Sequence, residues 1–335
     1  MSQAQLDPKF ETYVRDQPRI SYVQPDDPWL VRQFIASIEV MFGRRKIESI
    51  YRELKRNPFV IDEFFDAAFT ATNIQPTFNT EQISKIPKRG PLVFVANHPF
   101  GVIDGMALCK IALQARGNFR ILIHAMLCQD RDLAPYFLPI DFRETKAALK
   151  NNIHAKRSAL EYLNQDIPIL IFPAGFVSTA DRRGFGRVVD APWTTFAAKL
   201  IRDANAAVVP VFFHGQNSRR FHLASHVAEP LRMALLLNEV LKKFGHSVPA
   251  EIGDPLPWET LAQFDSRQSL TEYLYQRVQA LAPSPTRPKS RLIKLPRPTS
   301  CFATKDISCG ANPGMVTFKI PITSPRLTGA KIGLS

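Results

Sequence analysis

The chain has 335 residues, of which 45% are hydrophobic and 22% are charged, ordinary values for a globular protein that can bury a sizeable core. Its formal net charge is +13, and residues 287–335 contribute +8 of this, with nine Lys or Arg against one acid. The mildly basic remainder favours anionic partners such as phosphates or an anionic membrane surface. Because no basic motif is interleaved with aromatic residues, we expect no nucleic-acid partner.

The cysteines and the start of the chain restrict the cellular setting. Cys109, Cys128, Cys301 and Cys309 form no C-x-x-C pair and have no histidine at metal-ligand spacing. We therefore expect reduced thiols, no metal site and a cytosolic environment. The polar N-terminus lacks the apolar segment of a secretory signal, and nowhere do 18 apolar residues run uninterrupted. Any membrane contact is expected to be peripheral.

The first part of the chain divides into a polar arm, residues 1–27, and a helical segment, residues 28–75. Apolar residues recur there at spacings of three and four, which predicts a pair of amphipathic helices from Pro28 and a further helix over 60–72. Two interpretations of the pair remain open. The helices pack on the domain, or they lie at a membrane interface with their arginines on anionic headgroups.

Strands and helices alternate over residues 76–282. The predicted strands are 92–96, 121–125, 138–142, 167–172, 207–213 and 248–252. One helix is predicted to begin near Asp104, and four more are predicted over 144–164, 194–203, 231–245 and 266–281. The alternation predicts an α/β domain with a mainly parallel central sheet and flanking helices, preceded by the amphipathic helical segment. Residues 283–335 are basic, rich in proline and without a period, so we expect a disordered tail.

One stretch, PLVFVANHPFGVIDG at 91–105, places a histidine beside a carboxylate. The strand at 92–96 delivers Asn97 and His98 at its carboxyl end, where open α/β sheets keep their active sites. Asp104 follows at the start of the next helix. A histidine takes a proton from a hydroxyl when a carboxylate fixes its tautomer. For an isolated pair, however, a helix cap and a turn histidine are the better interpretation.

Two further segments favour a catalytic interpretation of His98 and Asp104. NHPFGVIDG at 97–105, FPAGFVS at 172–178 and VVPVFFHGQNSRRF at 208–221 resemble, in order, blocks of the glycerolipid acyltransferases related to 1-acyl-glycerol-3-phosphate acyltransferase, in the haemolysin-like lysophospholipid acyltransferase branch. The resemblance spans roughly residues 30–260. It implies transfer of an acyl chain from acyl-CoA or acyl carrier protein to the hydroxyl of a lysolipid, at the cytoplasmic face of the membrane and without a further cofactor. His98 is then the general base and Asp104 its orienting partner.

The resemblance also implies residues that bind substrate. Asn97, Phe172, Pro173 and Gly175 belong to the matching blocks. The candidates for headgroup and carrier phosphates are Arg143, Lys146, Arg182, Arg183 and Arg187. Arg143 is placed where the family keeps a phosphate-binding arginine. The last three follow the FPAG turn, where a solvated basic loop is an equally good interpretation.

The chain departs from the commoner pattern of this family. Five residues rather than four separate His98 from Asp104, and an unusual φ at Gly101 would absorb the extra residue. The second block is degenerate, and Ala174 and Phe176 stand where the third usually has a glutamate. Two alternatives follow: a membrane lipid-binding protein that has lost catalysis, and a thioester hydrolase in which His98 activates water.

Overall fold

The strand that leads to His98 is the centre of the fold. The computed structural model describes residues 4–18, 21, 23, 28–56, 58–180, 188–226 and 229–283. All five residues of Leu92–Ala96 are buried there. Such a continuous apolar run is typical of a strand covered on both faces by helices.

Seven strands form one sheet in the described part of the chain. They are β1 (Gln75–Thr77), β2 (Leu92–Ala96), β3 (Arg120–His124), β4 (Phe137–Ile140), β5 (Ile169–Ile171), β6 (Ala207–Phe213) and β7 (Ser247–Ile252). Their order across the sheet is β1-β7-β6-β2-β5-β3-β4. Neighbours run parallel, except that β7 is antiparallel to β6. The prediction of a mainly parallel sheet is confirmed.

The helices follow the predicted alternation. They are α1 (Trp29–Met41), α2 (Arg44–Leu54), α3 (Ile61–Thr72), α4 (Thr80–Ser84), α5 (Val102–Arg116), α6 (Lys146–Asn164), α7 (Phe196–Ala204), α8 (Arg219–Ser225), α9 (Glu229–Lys242), α10 (Trp258–Leu261) and α11 (Arg267–Gln279). Short 3₁₀ turns occupy Pro8–Tyr13, Ala125–Leu127 and Ala134–Tyr136. The predicted boundaries differ from these by a few residues, as expected for element ends.

Alternate residues of β2 face two separate cores. Leu92, Phe94 and Ala96 pack with α3 and α5 on one face of the sheet. Val93 and Val95 pack with α6, α7 and α11 on the other. Because side chains alternate along a strand, a single apolar run serves both cores. The two helical layers thus hold β2, and the residues that follow it, in a fixed position.

Sequence analysis missed several short elements. Strand β1 is three residues long, contains Pro76 and is largely exposed, so no apolar run marks it. Its partner β7 is more than 160 residues away in sequence. Helices α4, α8 and α10 are also short, from four to seven residues. The predicted tail, residues 283–335, lies outside the described residues except for Pro283.

The helical segment before the sheet packs on the rest of the domain. Helix α1 contacts α2 and α9, and α2 contacts α3. Gly43 is the N-cap of α2 and has a φ of 96°. This backbone conformation turns the chain between the first two helices. Among the described helices, none combines the length and apolar character needed to cross a membrane.

The turn between β2 and α5 depends on Gly101. This residue has a φ of 86° and a ψ of −114°, and it is the N-cap of α5. The positive φ agrees with the prediction that Gly101 absorbs the extra residue between His98 and Asp104. A Cβ at this position would also lie 3.3 Å from a methyl group of Val177. The backbone therefore selects glycine by conformation and by space.

We predict that Gly101→Ala lowers the free energy of unfolding by about 1–3 kcal/mol, because alanine is strained at this φ. Thermal and urea unfolding of the purified protein measure the change. Gly105→Ala is the matched control: Gly105 lies in the first turns of α5 and has no neighbouring atom within 4 Å of an added Cβ. It should leave stability unchanged or raise it. Equal effects of the two substitutions would contradict the role given to the turn.

Candidate active site

His98 and Asp104 meet at the turn between β2 and α5. Nδ1 of His98 lies 3.2 Å from Oδ2 of Asp104. The distance is that of a hydrogen bond, although the Nδ1–H is not aligned with this oxygen. In ligand-free active sites such catalytic hydrogen bonds are often poorly aligned, and they tighten in the substrate complex. With Nδ1 on the aspartate side, Nε2 is left to exchange a proton with a ligand.

The carboxylate of Asp104 is fully buried in the first turn of α5. Its Oδ2 accepts a hydrogen bond of 3.0 Å from the backbone N–H of Phe100. The amino end of a helix also favours negative charge. The side chain of His98, by contrast, is 18% exposed. The aspartate is thus fixed inside the protein while the imidazole reaches the surface of the site.

The FPAG turn after β5 contacts the imidazole directly. The ring of Phe172 stacks on His98 with 4.0 Å between centroids and 26° between planes. The carbonyl of Pro173 accepts hydrogen bonds from the backbone N–H and the hydroxyl of Thr194, at 3.0 and 3.2 Å. Gly175, with a φ of 71°, donates its N–H to the carbonyl of Phe172 at 2.9 Å. This turn restricts the plane of the imidazole.

Asn97 connects the two central strands. Its Nδ2 donates to the carbonyl of Phe213 at 2.9 Å, and its Oδ1 accepts from the backbone N–H of Phe213 at 2.7 Å. The side chain bridges the carboxyl ends of β2 and β6 and is buried. These bonds position the residue that precedes His98. A contact between Asn97 and substrate stays a prediction.

Arg143 lies at the rim of the site in a bidentate pair. Its Nε lies 3.0 Å from Oδ1 of Asp141, and its Nη2 lies 2.7 Å from Oδ2. The hydrogen bond from Arg143 holds the pKa of the Asp141 carboxyl below its usual range. The guanidinium is half exposed, so a phosphate would share it with Asp141. The other three predicted arginines, Arg182, Arg183 and Arg187, lie outside the described residues.

A large cavity opens beside the imidazole. Its volume is about 1350 Å³. Six predicted site residues line it: His98, Arg143, Lys146, Phe172, Pro173 and Gly175. Most of the remaining wall is apolar and includes Ile50, Leu54, Phe65, Phe69, Met106 and Val240. The cavity therefore offers a long apolar ligand a place to bind with one end at His98.

Helix α2 forms one wall of this cavity and is anchored at its C-terminal end. The hydroxyl of Tyr51 donates to Oδ2 of Asp130, and the ammonium of Lys55 lies 3.2 Å from the same carboxylate. Burial and this hydrogen bond raise the pKa of Tyr51. Ile47, Ile50 and Leu54 face the cavity at helical spacing. The apolar stripe of α2 therefore covers the cavity, an assignment that sequence analysis did not make.

Sequence analysis also missed Asp190, a buried carboxylate behind His98. Its Oδ1 accepts from the backbone N–H of His98 at 3.3 Å and from the hydroxyl of Ser178. Its Oδ2 accepts from Nε1 of Trp193 at 2.9 Å. The N–H of Ser178 in turn donates to the carbonyl of His98 at 2.8 Å. No motif marks Asp190, because it lies 92 residues from His98 in a polar segment.

Side chains that serve elsewhere as nucleophiles are engaged or protonated here. The hydroxyl of Ser178 is buried and bonded to Asp190. Burial raises the pKa of the Cys109 and Cys128 thiols, which holds both in the less reactive protonated form. His98 therefore has no adjacent nucleophile to activate among these groups. The arrangement suits a base that acts on a hydroxyl of the ligand itself.

The sequence is similar to those of known acyltransferases. The model of the family described as acyltransferase matches residues 32–284. A protein named lyso-glycine lipid O-acyltransferase from Phocaeicola vulgatus is 33% identical over 186 residues, which are 53% of this chain and 63% of that protein. A protein of the same name from Bacteroides thetaiotaomicron is 32% identical over 200 residues, 57% of this chain and 70% of that protein.

A solved structure is also similar. The crystal structure of the 1-acyl-sn-glycerophosphate acyltransferase PlsC from Thermotoga maritima has a TM-score of 0.43 and 18% identity, and the match covers 75% of this chain and 92% of that one. Of the Phocaeicola relative, the chain spans a little under two thirds of the length. The family model, in contrast, extends over most of the described residues. The chain belongs to the acyltransferase family.

Proposed function

We propose that this protein transfers a fatty acyl chain from a thioester donor to the hydroxyl of a lysolipid, with His98 as the general base. The main support is the position of the His98 imidazole, 3.2 Å from the Asp104 carboxylate and on the wall of a large apolar cavity. The chain belongs to the acyltransferase family, and two relatives are named lyso-glycine lipid O-acyltransferases. The donor is acyl-CoA or acyl carrier protein.

The proposed reaction requires only a base and correct positioning. Nε2 of His98 removes the proton of the acceptor hydroxyl as its oxygen attacks the thioester carbonyl carbon. The carbon–sulfur bond then breaks, and the departing thiolate takes the proton from the imidazolium. Asp104 stabilises the imidazolium and fixes the tautomer. Because a thioester is already activated, no protein nucleophile is needed.

The rim of the cavity favours a lysolipid with an anionic headgroup. Arg143 lies there, and the guanidinium of Arg232 is 5.6 Å from the ring centre of Phe176. Ala174 and Phe176 replace the glutamate that the third block usually has, so the turn itself adds no negative charge. A carboxylate or phosphate headgroup would share the guanidinium of Arg143 with Asp141, with Lys146 as a further cation on the cavity wall. The acceptor panel should therefore contain a lyso-glycine lipid and lysophosphatidic acid.

We also propose that the protein lies peripherally on a membrane through α1. Four large apolar side chains project from this helix: Trp29, Leu30, Phe34 and Met41 are 68%, 71%, 59% and 70% exposed. Single exposed apolar residues are ordinary, but a cluster on one helix suits insertion among lipid headgroups. Attachment at the cytoplasmic face stays a prediction.

His98→Ala should reduce acyl transfer by about 10²–10⁴-fold, the usual contribution of a general base. Asp104→Asn should also impair transfer, because it removes the charge that stabilises the imidazolium. The assay measures labelled acyl chain in the lipid product, with circular dichroism as the test of folding. His246→Ala, which changes an exposed histidine, is the control and should keep full activity. Full activity of His98→Ala would exclude the proposed mechanism.

Asp190→Asn should lower kcat by about tenfold or more. The backbone N–H of His98, the hydroxyl of Ser178 and the Trp193 Nε1–H all donate to the Asp190 carboxylate, and an amide cannot accept from all three, so the backbone of His98 shifts. We expect a smaller effect on KM, since Asp190 lies behind the imidazole. Rates are measured per folded molecule, so that a loss of folded protein is not counted. Asp203→Asn, which breaks a surface pair with Lys156, is the control. An unchanged kcat would show that Asp190 does not position His98.

Replacement of Leu30, Phe34 and Met41 by Gln should reduce binding to phosphatidylglycerol vesicles by about tenfold or more, because each apolar side chain contributes about 1.5–3 kcal/mol when fully buried. Vesicle flotation measures the bound fraction. Val60→Gln with Leu223→Gln changes two exposed apolar residues elsewhere and is the control. Wild-type flotation of the α1 variant would place the membrane contact on another surface.

The alternatives give different products. A lipid-binding protein without catalysis floats with vesicles and consumes no thioester in the presence of any lysolipid. A hydrolase releases free fatty acid from the thioester when no lysolipid is present. A transferase forms acylated lipid and depends on the acceptor. Product analysis thus separates the three functions in one set of reactions.

A further inference from the structure

Helix α6 presents a basic and apolar surface that no described element covers. Five side chains form this surface, here called the α6 outer face: Lys146, Leu149, Lys150, Ile153 and Arg157. Leu149 is 61% exposed and Ile153 is 56% exposed. Within the described residues, the three cations form no ion pair, whereas the neighbouring Lys156 pairs with Asp203. The opposite side of α6 is buried against the sheet through small and apolar residues.

The α6 outer face begins at the mouth of the cavity. Lys146 and Leu149 line that mouth. Thr145 caps the helix by accepting a hydrogen bond of 3.1 Å from the backbone N–H of Ala148. Just before it, the ring of Phe142 packs beside Gly175 and lies 5.5 Å from the ring of Phe176. A molecule bound along α6 therefore has one end next to the FPAG turn, which contacts His98.

The spacing of the charges suits an acidic protein surface. Lys146, Lys150 and Arg157 lie on one side of α6, with a rise of about 1.5 Å per residue between them. The two exposed aliphatic side chains lie between these cations. Within the sequence of α6 and its flanks, acids occur only beside the two ends of the face, at Glu144 and Glu161. Asp7 and Asp203 contact α6 from other elements, and they are paired there with His154 and Lys156. A small apolar centre with cations around it is typical of a transient contact in which charge sets the encounter rate.

We propose that the α6 outer face docks an acidic carrier protein that delivers the acyl thioester. This inference rests on the proposed function, because it names the donor of the same reaction. The carrier would lie along α6, and its acyl-bearing arm would enter the cavity past Phe142. The exposed cations and aliphatic residues then act in recognition of the donor, and His98 acts on the acceptor hydroxyl.

A carrier protein suits this face better than a lipid surface does. The exposed apolar residues of α1 include Trp29 and Phe34, aromatic side chains that favour the membrane interface, whereas α6 has only two aliphatic residues among three cations. Among the described residues, α1 contributes to neither core that packs on the sheet: its buried Ile35 and Ile38 form a cluster of their own, whereas α6 packs directly on one face of the sheet. The exposed surfaces of α1 and α6 are therefore distinct, and a membrane contact through α1 does not itself use α6.

The test compares two donors with one acceptor. Full-length protein is assayed with palmitoyl-CoA and with palmitoyl acyl carrier protein, each with the same lysolipid in mixed micelles. Lys150→Glu with Arg157→Glu should raise KM for the carrier donor by about tenfold or more. Palmitoyl-CoA kinetics should not change, because neither residue lines the cavity. Added salt should raise the wild-type KM for the carrier donor more than that of the variant.

The control is a second double charge reversal, Arg89→Glu with Arg277→Glu, at exposed positions outside α6. It should leave the kinetics with both donors unchanged. An unchanged KM of the α6 variant for the carrier donor would overturn the proposal. So would reduced flotation of that variant on phosphatidylglycerol vesicles with unchanged donor kinetics, which would make α6 a lipid contact.

The same assay separates this proposal from the proposed function. Wild-type transfer from palmitoyl-CoA without any transfer from the carrier donor would overturn the docking proposal and leave the acyltransferase function intact. Absence of transfer from either donor, to every lysolipid of the panel, would overturn both.

Discussion

The site depends on the buried carboxylate of Asp104 and its contact with His98. An isolated carboxylate inside a protein is costly unless it is hydrogen-bonded or paired. Here the backbone N–H of Phe100, the first turn of α5 and the imidazole surround it. The turn at Gly101, with its positive φ, brings these groups together. A change in that turn therefore alters both the hydrogen bonding of the Asp104 carboxylate and the orientation of His98, the proposed base.

Three distant segments support the same imidazole because the central strands are parallel. Parallel strands end at one edge of the sheet, so the residues after β2, β5 and β6 are neighbours there. Asn97 joins the ends of β2 and β6, and Phe172, which follows β5, stacks on His98. Asp190 adds a fourth segment from behind. The apolar cavity then extends from this rigid edge between α2, α3, α5 and α9.

The parts that sequence analysis predicted correctly are those with a strong local signal. The apolar run of β2, the periodic helices and the chain order of three blocks were sufficient for the fold class and for the family. The direction of β7 and the existence of β1 had no such signal, because a short exposed strand with a proline resembles a loop. Asp190 and the role of α2 were missed for another reason. Their contacts join residues far apart in sequence, such as Tyr51 with Asp130, and no local pattern specifies them.

The central claim is that the acyl chain moves to a lipid hydroxyl and not to water. A single-turnover reaction with a labelled acyl thioester, run with and without lysolipid, measures where the label goes. The account predicts acylated lipid whenever lysolipid is present, and little consumption of thioester without it. Free fatty acid as the main product under both conditions, or unreacted thioester under both, would contradict it.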